Sequence, residues 1–231
     1  MRSEQRSQHG VGSPRGRLPA VAVLGVSYLA GSVPFSNLMA RWRAGVDLRE
    51  VGTGTVSGSE LYKQTGPVPL AVAGIAEVAK GAVGPLLAGP NRPVLAAVAG
   101  GAAVCGHDWS VFLGGAGGRG FSVSLGALAV QHWPGTATLL TGFVVGQLAK
   151  QTGLGVFAAS VAVVPVLRWT RGRDGALAGA AVVVPSLVKR VVGNRPPART
   201  GATPYLARLV LDRDTWTKPP TVERRATGAA S

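Results

Sequence analysis

The chain has 231 residues, with 24 Lys+Arg against 10 Asp+Glu, a formal charge of +14. Hydrophobic residues make up 46% and charged residues only 15%, with a mean hydropathy of +0.27. This excludes a disordered chain, which would be charge-rich and poor in apolar residues, and it argues against an ordinary soluble domain, where roughly 25% of residues are charged. One cysteine, Cys105, excludes a disulfide framework and any Cys-rich zinc site. The basic excess suits either nucleic acid or an anionic membrane surface, and the placement of the charges decides between them.

Residues 1–17 form a basic N-terminal tail with Arg2, Arg6, Arg15 and Arg17. Leu18–Ala40 then runs without Asp, Glu, Lys or Arg, long enough for one membrane-spanning helix of about 20 residues. The pair resembles a secretory signal, but no clean A-x-A cleavage site follows, so Leu18–Ala40 reads as a retained first span. Further charge-free runs cover Gln64–Ala76, Gly81–Asn91, Pro93–His107, Gly120–Ala149, Gln151–Leu167 and Gly175–Val188. Gly120–Ala149 suits one span, or two short ones broken at Trp133-Pro134-Gly135. The others reach span length by including charges near their ends, which Lys and Arg permit by snorkelling. The pattern predicts an all-α, polytopic integral membrane bundle over residues 18–192, with about five to seven transmembrane helices.

The runs are rich in Ala, Gly and Val. Small residues let helices approach closely in lipid, and Gly100-Gly101, Gly142 with Gly146, and Gly175 with Gly179 suit that use. Residues 193–231 are polar, basic and Pro-containing, and are expected to be a partly disordered extension. The positive-inside bias makes that tail cytoplasmic; the basic N-terminus asks for the same side, so the ends disagree or the span count is even.

Three polar islands interrupt the apolar runs, and polar groups in a membrane domain mark function. In Gly45–Gly66, glycines alternate with hydroxyl residues from Gly52 to Ser59. Such a stretch exposes N–H and hydroxyl donors suited to phosphate, with Thr53 among them and Arg49 and Lys63 adding charge; a flexible linker is the plainer reading of that island alone. In Glu77-x-x-Lys80-Gly81, the i, i+3 spacing lets two opposite charges pair on one helix face. The third island, Gly106–Gly120, has His107 at one end and Gly117-Gly118-Arg119-Gly120 at the other. It matches G-x-G-x-x-G formally but lacks a βαβ context. A nest of glycine amides, with Arg119 as a bidentate phosphate partner and His107 as acid, base or donor, explains it better.

Taken in order, these islands resemble the bacterial acyl-phosphate:glycerol-3-phosphate acyltransferases, the PlsY family. Tyr28-Leu29-Ala30-Gly31-Ser32-Val33-Pro34-Phe35 is similar to the family's Y-L-x-G-S-x-P-F. Gly45-Val46-Asp47-Leu48-Arg49 is similar to G-x-D-[IVL]-R, and Glu77-x-x-Lys80-Gly81 to D-x-x-K-G. Gly106-His107 through Gly120 resembles G-H-x-x-P-V-F-x-x-F-x-G-G-K-G. Departures accompany the matches. Thr53 stands for a Ser, Thr55 and Glu60 for two Asn, and Lys63 for an Arg. Ser110 stands for a Pro and Arg119 for a Lys. The closing H-R-x-N-I-x-R-L motif keeps only its basic end at Lys189-Arg190, with Val184 and Leu187 at the His and Asn positions.

The resemblance implies transfer of an acyl chain from acyl phosphate to the 1-hydroxyl of glycerol 3-phosphate in the bacterial plasma membrane, without metal or cofactor. It implies His107 and Thr53 as catalytic residues. Lys63, Lys80, Gly117, Gly118, Arg119 and Gly120 would bind substrate phosphate, supported by Ser32, Arg49 and Glu77. The substitutions leave a degenerate membrane paralogue with a binding role as the alternative. A small transporter ranks lower because no inverted repeat is visible, and nucleic acid is not an expected partner, since no recognition motif interrupts the apolar runs. The oligomeric state is left open.

Overall fold

The computed structural model describes residues 18–197 and 201–212, and every regular element among them is helical. The basic tail expected over 1–17, and the end of the C-terminal extension, lie outside the described residues. The helices are α1 (Ala20–Ser32), α2 (Phe35–Ala44), α3 (Gly58–Thr65), α4 (Pro67–Ala88), α5 (Pro93–Asp108), α6 (Phe121–Gln131), α7 (Trp133–Leu148), α8 (Thr152–Val192) and α9 (Ala202–Leu206), the last running into a π-helical turn, Ala207–Leu211. Proline sets several boundaries. Pro67, Pro93 and Pro134 stand in first turns, where a missing N–H costs nothing. Pro34 separates α1 from α2.

Four stretches are long and apolar enough to cross a membrane: Ala20–Ala44, taken across the Pro34 break, Pro67–Ala88, Pro93–Leu113 and Thr152–Val192. The last of these is two helices joined at a kink, and with the shorter apolar helix Phe121–Gln131 the bundle agrees with the five to seven helices expected. The runs Gln151–Leu167 and Gly175–Val188 form the two halves of the 41-residue α8, which is broken at Gly172, whose φ of +71° a side chain resists; the halves fold back on each other, so that a Cβ at Gly179 would lie 3.0 Å from Val163 Cγ1. The run Gly120–Ala149 divides at Trp133-Pro134 into α6 and α7, of 11 and 16 residues. Large apolar side chains face outward around the bundle, among them Ile75, Leu148 and Trp169, the last 88% exposed. Such a surface suits acyl chains and not water.

The core holds Val104, Val123, Leu128, Leu139, Val163, Leu167 and Val182, contributed by α5 to α8. The helices touch through small residues, as their composition suggests. A Cβ added at Gly126 of α6 would lie 1.8 Å from the Val78 carbonyl oxygen of α4, and one at Gly81 of α4 2.1 Å from the Val123 carbonyl oxygen of α6. Backbone cannot yield as a side chain can. Gly126→Val should therefore lower stability by about 1–3 kcal/mol or more. Gly74→Val on α4, which meets nothing within 4 Å, should be neutral; melting curves of both in detergent check this.

The segment after Val192, expected to be a solvated extension, is folded against the bundle through residue 212, apart from 198–200, which lie outside the described residues. Its polar side chains find backbone partners there: Arg208 is buried and donates to Val192 O at 3.1 Å and Arg195 O at 2.9 Å. A sequence scan for long apolar runs misses such docking because hydrogen bonds to backbone carbonyls help to make it.

Candidate active site

Glu77 and Lys80 pair at 2.7 Å in α4, each side chain only 3% exposed. The i, i+3 spacing makes the contact, and the break at Pro34 completes it. Ser36 donates to Glu77 Oε1 through its N–H at 3.0 Å and its hydroxyl at 3.1 Å, and Lys80 Nζ donates to Val33 O at 2.6 Å. Two of the three ammonium donors of Lys80 are therefore used within the chain. His107, in the last turn of α5, sets its Nδ1 3.2 Å from Glu77 Oε2. Its Nε2 faces the third island: a Cβ on Gly118 would sit 2.1 Å from it. Only glycine lets that turn lie on the imidazole.

The Gly-rich turn is held mainly by internal bonds. Gly118 N donates to His107 O at 3.1 Å, and Gly117 N to Asn194 Oδ1 at 3.2 Å. These two amides are engaged by the chain itself, so the turn is less open than a bare nest of amides. Gly120, with φ +69°, starts α6 and projects Arg119 just before it. Beneath the turn lies Asp108, fully buried, with neither carboxylate oxygen hydrogen-bonded. It sits among the positive charges of Lys189, Lys80 and Arg119. Lys189 is buried as well and lies 5.1 Å over the Trp109 ring. Sequence reading assigned no role to Asp108 or Lys189, because an unpaired buried acid is visible only once its surroundings are.

The first island meets the third through backbone: Val56 N donates to Gly117 O at 3.1 Å. Asn194 spans both, its Nδ2 donating to Gly54 O at 2.9 Å and Gly117 O at 2.8 Å. Asn194→Ala removes the partners of three backbone groups and should cost about 1–3 kcal/mol, read as a lower melting temperature in detergent. Thr53 lies in this loop and its hydroxyl accepts from Thr55 N at 3.4 Å.

Arg49 is a brace. It pairs with Asp47 at 2.7 Å and donates to Leu113 O at 3.3 Å. The Arg49 guanidinium bonded to Asp47 holds that carboxyl far below the usual carboxylate range. Ser32 is also internal, its hydroxyl returning to Tyr28 O at 2.9 Å; the serine that reaches Glu77 is Ser36. Ser110 donates to Ser32 O at 2.6 Å and accepts from Phe112 N. Lys63 lies on α3, 62% exposed and paired with Glu60 at 2.8 Å. Glu60 follows its N-cap Ser57 by three residues, a capping-box spacing, but turns its carboxylate to Lys63. Thus Glu77, Lys80, His107 and the Gly117–Gly120 turn come together, joined by Asp108, Lys189 and Asn194. Ser32, Arg49 and Lys63 are engaged elsewhere. No group of three or more metal-ligating side chains occurs among the described residues.

The fold and this buried cluster define a polytopic integral membrane protein with a cationic, glycine-lined site. Residues 21–193 match the family described as glycerol-3-phosphate acyltransferase. A glycerol-3-phosphate acyltransferase of Synechococcus sp. (strain CC9902) is 35% identical over 74% of this chain and 86% of its own length. That of Thermotoga petrophila is 34% identical over 58% and 70%. Among solved structures, PlsY, an integral membrane glycerol 3-phosphate acyltransferase, in its glycerol 3-phosphate form superposes with a TM-score of 0.63 at 23% identity, covering 81% of this chain and 98% of that one. The chain belongs to the glycerol-3-phosphate acyltransferase family.

Proposed function

We propose that this chain acylates glycerol 3-phosphate at its 1-hydroxyl, with acyl phosphate as donor, releasing lysophosphatidic acid and phosphate. The observation that carries it is the convergence of Lys80, His107 and the Gly117–Gly120 turn on one buried site in a chain of this family. The donor is a mixed anhydride, already activated, so no acyl-enzyme nucleophile is required. The hydroxyl oxygen bonds to the acyl carbon, the bond from that carbon to the phosphate oxygen breaks, and phosphate leaves with the electron pair. His107 Nε2, with Nδ1 held on Glu77, receives the hydroxyl proton. Arg119 and the third donor of Lys80 neutralise phosphate charge, and Thr53 supports the acceptor; this is positioning and electrostatic catalysis.

The groove between α2 and α4, lined by Phe35, Leu38, Met39, Trp42, Val72 and Ala76, takes the acyl chain. Residues 18–192 make up the catalytic membrane domain, in the plasma membrane with the C-terminal tail cytoplasmic, as its basic residues favour. The family relationship does not favour a degenerate paralogue. Purified protein in detergent, given acyl phosphate and labelled glycerol 3-phosphate, should form lysophosphatidate; none above a no-enzyme blank sinks the reading.

A further inference from the structure

The two outer ends of α8 meet at the Gly-rich turn. Arg190, near the end of the second half, donates to Gly153 O, at the start of the first, at 3.1 Å. Asp212 pairs with Arg119 of the turn and lies 3.6 Å from Arg190 Nε. The kink at Gly172 is therefore at the other end of the bundle. About 20 residues of helix separate the two ends, roughly 30 Å, which matches the hydrocarbon thickness of a bilayer. With the Gly-rich turn at one membrane surface, the kink stands at headgroup level in the opposite leaflet. Its sequence is Arg168-Trp169-Thr170-Arg171-Gly172-Arg173-Asp174. All three arginines are exposed, and among the described residues none of them forms an ion pair. Arg168 and Arg171, three residues apart, share a helix face, where like charges repel. The second half begins hard against the first: a Cβ at Gly175 would lie 2.5 Å from Arg171 Cβ. The start of α7 packs there too, since a Cβ at Gly135 would lie 2.9 Å from Leu167 Cδ1. This brings Trp133, 64% exposed, to the same end as Trp169. His132, just before it, lies within electrostatic reach of Arg171 and Asp174.

Exposed tryptophans at helix ends are the mark of the headgroup layer. Arginine binds phosphate through a planar fork, often with two parallel bonds. At a membrane surface, the phosphate held at a fixed depth is that of a lipid. We propose that Arg168, Arg171 and Arg173 hold the headgroup of an anionic phospholipid in that leaflet, with Trp169 and Trp133 beside its glycerol and upper chains. A zwitterionic lipid carries a phosphate as well, but its own cation offsets that charge and competes with the guanidinium groups. Asp174 balances only one of the three arginines, so the turn keeps a surplus that an anionic lipid neutralises. The place lies about one membrane thickness from Lys80, His107 and Arg119, and the proposal does not rest on the acyl-transfer reading.

The test is the melting temperature of the full chain in uncharged detergent, titrated with phosphatidylglycerol or with phosphatidylcholine. Phosphatidylglycerol should raise it, and phosphatidylcholine should not at the same concentrations. The double variant Arg168→Gln with Arg171→Gln should need about 25-fold more phosphatidylglycerol for half of the shift, about fivefold for each arginine removed. A second double variant, Arg43→Gln with Lys150→Gln, removes the same charge from exposed positions at the other end of the bundle and should keep the original midpoint. Equal losses in the two double variants reduce the effect to general charge attraction and overturn the proposal. So does equal stabilisation by the two lipids, or none by either. Inorganic phosphate in place of lipid should give no shift that depends on Arg168 and Arg171; such a shift overturns the assignment to a lipid. Arg168→Gln and Arg171→Gln serve singly should their double variant not give monodisperse protein, and an unchanged midpoint in both also overturns it.

Discussion

Lys80→Met should destabilise the protein by about 3–5 kcal/mol, because it strands the buried Glu77 carboxylate without its partner. The distance between the two groups is 2.7 Å and both are almost wholly enclosed. Replacing both, as Glu77→Gln with Lys80→Met, should recover much of the loss, since a neutral pair of similar volume leaves no unpaired charge. Melting temperatures of the two single variants and the double variant in one detergent give the coupling. A Lys80→Met protein as stable as the original would mean that Ser36 and His107 alone satisfy Glu77.

Arg119→Ala should lower the rate of lysophosphatidate formation by about 10²–10³-fold, the usual scale for removing a donor aimed at developing charge. Arg119→Lys should lose far less if one positive charge is what matters, and nearly as much if the planar fork is needed. Melting curves run alongside separate catalysis from folding, since Arg119 also holds Asp212. A loss of less than threefold for Arg119→Ala would remove it from the phosphate role.

Much of the bundle was legible in the sequence because its signal is local. Charge-free runs of span length mark membrane helices wherever they occur. The Glu77–Lys80 contact was legible too, since i, i+3 spacing on a helix guarantees proximity. The span count was legible for the same reason: the charged Arg168–Asp174 stretch that separates two apolar runs is where the chain turns at Gly172 and the two halves of α8 fold against each other.

In the site, His107 and Arg119 were found by type and by their place beside glycines. Asn194 was hidden for a different reason. Its partners lie 77 and 140 residues away, and Asn194 itself stands in a tail whose composition carries no periodicity. Asp212 was hidden in the same way, 93 residues from Arg119. The motif pointed to Ser32, whose hydroxyl bonds within its own helix. Ser36, just past the break, has its N–H and hydroxyl free to turn to Glu77.

That break has a further consequence for the charges beside it. An interrupted helix exposes two ends of opposite polarity, a partly negative C-terminus on α1 and a partly positive N-terminus on α2. Lys80 meets the first at Val33 O and Glu77 meets the second at Ser36 N. The ion pair on α4 is therefore matched, charge for charge, to the two ends of the neighbouring rod. In a membrane no solvent is at hand to satisfy either partner alone. The kink at Pro34 and the acid–base pair on α4 make a single dipolar unit, and healing the helix would unpair the charges as surely as mutating them.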